Sequence, residues 1–231
     1  MVPLVISLTS IPPRFGQLPR VVAGLRRQAD RVIVTLPRRY RRFPGNHAVP
    51  DLPGAELLRP AQDKGPAAKV LHAAQALRGQ AVELLYCDDD WDYAPGWADA
   101  FRAGRAQHPG AVLAGATFGA DRLKLSGPPI AQGFAGVMIR PDWLDDIAMC
   151  PPDIAWAVDD IWLSAAFART ERDVVEVSEA RSLAAPLSDP GNLQDARIDG
   201  RTRAEANQAC ALSIGEDFGT WSHRNARNLE A

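Results

Sequence analysis

The sequence predicts an α/β fold, a single domain built on a mostly parallel sheet with helices packed on its faces. Three features carry that prediction. Short β-branched apolar runs alternate with segments whose apolar residues recur at helical spacing. The connections between them are brief, and one run leads straight into Asp88-Asp89-Asp90. Such alternation is the pattern of a parallel sheet flanked by helices. Ligands of these sheets bind beyond the carboxyl ends of the strands, so an acidic cluster at a strand end stands where chemistry is expected.

The elements follow in chain order. Pro3 to Ile11 is a buried strand ending in Thr9-Ser10 and a double proline. Arg20 to Gln28 carries Val21, Val22 and Leu25 at helical spacing and covers it. Arg31 to Leu36 is a second strand closed by Pro37, and Ala55 to Pro60 a third. Pro66 to Leu77 puts Val70, Leu71, Ala74 and Leu77 on one helical face, with Pro66 suited to the first turn. Ala81 to Cys87 is a strand, Gly96 to Gln107 a helix and Ala111 to Ala116 a strand. The second half is less regular. A helix starts near Asp159, Val174 to Val177 is strand-like, and Arg203 to Leu212 reads as a short helix. The expected layout is one domain over 1–231. Within it, 1–120 forms the ligand-binding half and 121–185 an acceptor-side half. The polar stretch 186–231, with little core to bury, is a lid or tail.

Composition narrows the function. Among 231 residues, 28 acidic side chains face 26 basic ones, a formal charge of -2. That balance excludes a dedicated nucleic-acid binder, which carries a basic excess or face. The charge-free stretch Leu125 to Ile139 is too short and too broken by Gly and Pro to span a bilayer, and no transmembrane segment is expected. The N-terminal apolar run lacks a basic n-region and meets Pro12-Pro13 at once, unlike a signal peptide. Three dispersed cysteines, Cys87, Cys150 and Cys210, offer neither a disulfide framework nor a structural zinc site, so a cytoplasmic location is expected. Signatures of dinucleotide enzymes, P-loop NTPases, α/β-hydrolases and zincins are absent.

Three adjacent carboxylates repel one another and call for a cation or a wet loop. A hard ion, Mg²⁺ or Mn²⁺, takes oxygen ligands from such a turn and from a phosphate. The plain alternative is a solvated acidic loop. Lys69, one turn into its helix, reaches back toward a phosphate, or is an exposed helical lysine. Asp159 and Asp160 open a helix. One serves as a cap, worth about 1 kcal/mol, and the other as a general base, with Asp160 preferred.

LLYCDDDWDY, Leu84 to Tyr93, resembles the strand and DXD motif of GT-A glycosyltransferases, a Rossmann-like fold whose members use nucleotide-sugar donors. VISLTSIPPRF, Val5 to Phe15, resembles the first strand and nucleotide-contacting loop of family 2-like bacterial members. DKGPAAK, Asp63 to Lys69, and DDIWLS, Asp159 to Ser164, resemble two further segments in the same order. The resemblance covers about residues 3 to 167. It implies that Asp90 is a direct metal ligand and Asp88 a sugar, ribose or metal contact. It also implies that Asp63 touches the base or ribose, that Thr9 and Arg14 lie by the nucleotide with Asp89, and that His223 is a late metal ligand. The implied reaction moves a sugar from a nucleotide-diphosphate sugar to a glycan, lipid-linked or other hydroxyl acceptor, inverting with an Asp base. The rivals are a nucleotidyltransferase, for which TSIPPRF is a poor phosphate loop, and a non-catalytic sugar- or nucleotide-binding module.

Overall fold

The computed structural model describes residues 2–187 and 200–223. Seven strands form the central sheet: β1 (Leu4–Thr9), β2 (Arg31–Thr35), β3 (Glu56–Leu58), β4 (Glu83–Tyr86), β5 (Val112–Ala114), β6 (Val137–Ile139) and β7 (Val174–Glu176). Their spatial order is β7-β5-β6-β4-β1-β2-β3. β1 runs parallel to β2 and β4, β2 to β3, and β5 to β7, whereas β6 is antiparallel to both its neighbours. The mostly parallel sheet is as expected, and the reversed β6 is the exception to the sequence reading. It has three residues and follows the glycine-broken turn Gly133–Ala135, too short to show a period of its own.

β1 is buried from Leu4 to Leu8 because both faces of the sheet are covered. Val5, Ile33, Leu84 and Tyr86 pack toward α2 (Ala68–Leu77) and α4 (Asp159–Arg169). Leu4, Ile6, Leu8, Val32 and Leu85 pack toward α1 (Leu18–Leu25) and α3 (Trp97–Gln107). Burying each such side chain contributes about 1.5–3 kcal/mol, so alternation along one strand fastens a helix layer to each face. A short helix, α5 (Ser178–Ser182), leads to a ladder in which Ala184–Pro186 pairs with Trp91–Tyr93.

The C-terminal helix is longer than its sequence pattern. α6 (Arg203–Phe218) starts with a capping box between Thr202 and Glu205 and buries Ala206, Cys210, Ala211 and Ile214 in the core shared with α4. These small apolar positions are spaced for close packing and lack a conspicuous stripe. The expected lid or tail over 186–231 lies partly outside the described residues. No described helix is long and apolar enough to cross a membrane.

Candidate active site

β1 and β4 lie side by side and end together, with Ser7 opposite Tyr86. A cavity of about 790 Å³ opens beyond these ends. Thr9, Arg14, Asp63, Lys69, Asp88, Asp89, Asp90, Asp159 and Asp160 all line it, so every expected site residue except His223 meets there.

The acid turn that follows β4 divides its carboxylates. Asp89 points inward and is 4% exposed. The Ser10 hydroxyl donates to its Oδ2, and an Arg14 nitrogen lies 2.9 Å from its Oδ1. Burial pushes the Asp89 carboxyl up to about 6 against the opposing pull of Arg14 and Ser10. Asp89 was expected to touch the nucleotide, and the structure turns it inward, held by Ser10 and Arg14 on the segment that follows β1. The other Arg14 nitrogen sits 2.9 Å from Asp90 Oδ2, so Arg14 holds two acids at once. Asp88 and Asp90 keep side-chain exposures of 32% and 23%, enough to reach a ligand in the cavity.

Lys69 does not reach toward a free phosphate site. Its ammonium lies 2.7 Å from Asp88 Oδ1 and 2.9 Å from Asp159 Oδ2, and the side chain is 3% exposed. Burial alone would lower its pKa, but the charges of Asp159, Asp88 and Asp160 hold it well above the usual lysine range. The carboxylates that call for a cation thus find two within the chain itself, Arg14 and Lys69.

α4 begins with Asp159 and Asp160, yet neither caps it; Val158 holds the N-cap position with no side-chain hydrogen bond. Asp159 is buried against Lys69. Asp160 accepts the Gly133 backbone N–H at 3.0 Å through Oδ1 and is only half-buried. Burial pushes its carboxyl up to about 7, the Asp159 charge adds to the rise, and Lys69 opposes it.

The wall opposite is built by Asp63. Its carboxylate accepts N–H groups of Gly65 at 2.9 Å and Arg41 at 2.7 Å, fastening the loop around Arg41 to the start of α2. Its backbone carbonyl accepts the Trp156 indole N–H at 3.2 Å. At the start of α2 the Gly65 N–H is taken by Asp63, Pro66 lacks one and the Ala68 N–H returns to the turn. Thr9 donates to the Thr35 carbonyl at 2.7 Å, at the cavity edge. His223 does not line the cavity. It is exposed in a ladder opposite Leu125, where α6 and the strand after it place it.

The sequence reading missed Ser10, Gln132 and Arg203, which also line the cavity with Tyr40, Arg42 and Trp156. The Tyr40 hydroxyl donates to the Ser10 carbonyl at 3.1 Å. Of the three missed, Ser10 had a sequence signal, its place just after β1.

No described set of three or more His, Cys, Asp or Glu side chains is grouped to hold a metal by itself. A Mg²⁺-like ion commonly takes one or two carboxylates and completes its shell with phosphate oxygens and water. Asp88 and Asp90, hard oxygen donors open to the cavity, fit such an ion beside a diphosphate. The lining holds six carboxylates against four cations, so the cavity is net acidic.

The structure is similar to a mycobacterial protein over 95% of this chain and 75% of that one, at 12% identity and a TM-score of 0.57. It is also similar to the mannosyltransferase PcManGT from Pyrobaculum calidifontis in complex with GDP-Man and Mn²⁺. That match covers 95% of this chain and 77% of that one, at 14% identity and a TM-score of 0.54. The chain has the GT-A fold. S. aureus TarS 1-349 in complex with UDP matches too, over 100% of this chain and 75% of that one, at 12% identity and a TM-score of 0.50. No family model and no curated protein matches the sequence. In this GT-A fold the acid turn after β4 and the start of α4 face each other across one cavity, bridged by Lys69.

Proposed function

We propose that this protein transfers a sugar from a nucleotide-diphosphate sugar to a hydroxyl acceptor on a glycan or lipid-linked substrate. One observation carries the reading. A part-exposed acid pair, Asp88 and Asp90, and a second acid, Asp160, whose carboxyl burial pushes up to about 7, share one cavity at the strand ends. That is the division a glycosyl transfer needs, donor phosphates on one side and a proton acceptor on the other. Fold relatives bound to GDP-Man with Mn²⁺ and to UDP support the donor class.

Asp88 and Asp90 would hold Mg²⁺ or Mn²⁺. When bound, such an ion supplies positive charge that offsets the departing diphosphate. Arg14 fixes the turn so that Asp90 is placed before donor arrives. Asp160 takes the proton from the acceptor hydroxyl as that oxygen bonds to the anomeric carbon. The bond from that carbon to the diphosphate oxygen breaks, and the electron pair leaves with the nucleotide. Attack opposite the leaving group inverts the anomeric centre. A carboxylate with a pKa near the working pH suits this role, since about half of it is ionised while it stays basic. Asp159, buried on Lys69, has no comparable access.

The test is incubation with GDP-, UDP- and dTDP-sugars, acceptors and Mn²⁺. The reading expects free nucleoside diphosphate and a glycosylated product. In a parallel incubation with nucleoside triphosphates and sugar 1-phosphates, release of inorganic pyrophosphate would mean nucleotidyl transfer instead, and release in neither incubation would leave a binding module.

A further inference from the structure

Lys69 has no part in the transfer just outlined, yet it is the most enclosed cation of the cavity. It joins three segments. One is the acid turn after β4, through Asp88; another is the start of α4, through Asp159. The third is the Gly133 turn, where a Cβ would come 2.5 Å from the ammonium nitrogen, 2.9 Å from Cε and 3.4 Å from Asp160 Oδ1. Gly133 has no left-handed φ to explain it. Its missing side chain makes room for the ammonium, and its N–H holds Asp160 Oδ1 at 3.0 Å. The groups facing Asp160 are therefore Asp159 on its own helix, Lys69 from α2, Asp88 and Tyr86 from the end of β4, and the Gly133 amide.

We propose that Lys69 and Asp159 are positioning residues: the ammonium ties donor-side Asp88 to the α4 acid pair, and the fixed charge of Asp159 poises Asp160 to take the acceptor's proton. Two adjacent carboxylates with identical surroundings would share a proton between them. Here the surroundings differ. Asp159 is 2% exposed and faces an ammonium, whereas Asp160 is half-buried, held by one amide and open to the cavity. The like charge of Asp159 makes Asp160 a stronger proton acceptor than a solvated aspartate. The same ammonium contacts Asp88, so a shift of the donor-side turn is felt at the base.

This inference rests on the proposed transfer reaction, but its first readout does not. The side-chain carboxyl of Asp160 is titrated by ¹³C NMR in the metal-free protein without donor. Asp159→Asn removes a like charge, and the Asp160 midpoint is expected to fall by roughly one pH unit. Gly133→Ala keeps every charge but drives a methyl into the ammonium, so the midpoint is expected to rise. In both variants the acid limb of kcat against pH follows the NMR midpoint. A purely structural Asp159 would leave the midpoint unmoved and overturn the proposal. So would a Gly133→Ala midpoint that stays or falls, which keeps the test decisive if Asp159→Asn does not fold. Absence of transfer by the wild type with every donor would refute the reaction instead, and the titrations would still judge the positioning.

Discussion

The guanidinium of Arg14 lies 2.9 Å from Asp89 Oδ1, and both side chains are almost wholly buried. This pair pins the acid turn to the end of β1. Removing one member of a buried pair leaves an uncompensated charge, which typically costs about 3–5 kcal/mol. Arg14→Met is expected to lose stability on that order in urea denaturation. Arg14→Lys should recover only part, because one ammonium cannot reproduce a guanidinium shared between Asp89 and Asp90. A loss below about 1 kcal/mol would show that the turn does not depend on the pair.

Asp90 is the outer partner of Arg14, and 23% of its side chain still faces the cavity. Asp90→Asn removes one of the two proposed metal ligands while Arg14 keeps Asp89. Thermal shift in Mn²⁺ with GDP or UDP should show ligand stabilisation in the wild type and little in the variant. At a ligand concentration 100-fold over Kd, that stabilisation is about 2.7 kcal/mol. An equal shift in the variant, or a wild-type shift that survives chelator, would count against metal-assisted binding.

The architecture was legible because it rests on local patterns. β1, β2 and β4 show as continuous apolar runs, α2 shows its apolar stripe, and Asp88 to Asp90 and Asp159-Asp160 announce themselves by adjacency. The links between them were not legible. Lys69 finds Asp88 across 19 residues, and Arg14 finds Asp89 across 75, through the pairing of β1 with β4 and the packing of α2 against that part of the sheet. Sequence distance hid the reason that Lys69 is unavailable to a phosphate. It also hid β6, three residues long, and the packing that carries His223 to a ladder with Leu125.

Gly65 shows what the close approach at the cavity wall requires. Its φ is +59°, and a Cβ there would sit 2.3 Å from the Trp156 carbonyl oxygen and 3.0 Å from the indole. Gly79, at φ +76°, has open space around it. Gly79→Ala should therefore cost only the left-handed backbone penalty, about 1–2 kcal/mol. Gly65→Ala should cost more and should also weaken nucleotide binding, since Trp156 holds Asp63 in place. Equal losses in the two variants would mean that Trp156 yields freely.

Asp160 offers a test that separates chemistry from stability. Its folded-state carboxyl is raised to about 7 from the ordinary 3.8, mainly by burial and then by Asp159. The folded protein thus binds this proton more tightly than the unfolded chain does. The resulting stabilisation is complete below about pH 4 and is lost as pH rises through 7. Asparagine stays neutral and lacks that slope, so the stability of Asp160→Asn relative to wild type should improve between pH 5 and pH 8. Turnover should move the other way. Loss of the general base typically lowers kcat by about 10²-fold or more, and wild-type turnover should itself fall as pH drops below 7. Donor and metal affinity should hold, because Asp88 and Asp90 are untouched. Melting curves across pH, read beside kcat, decide the matter. A variant that turns over at the wild-type rate while its relative stability still climbs with pH would keep the buried carboxyl and dismiss the base.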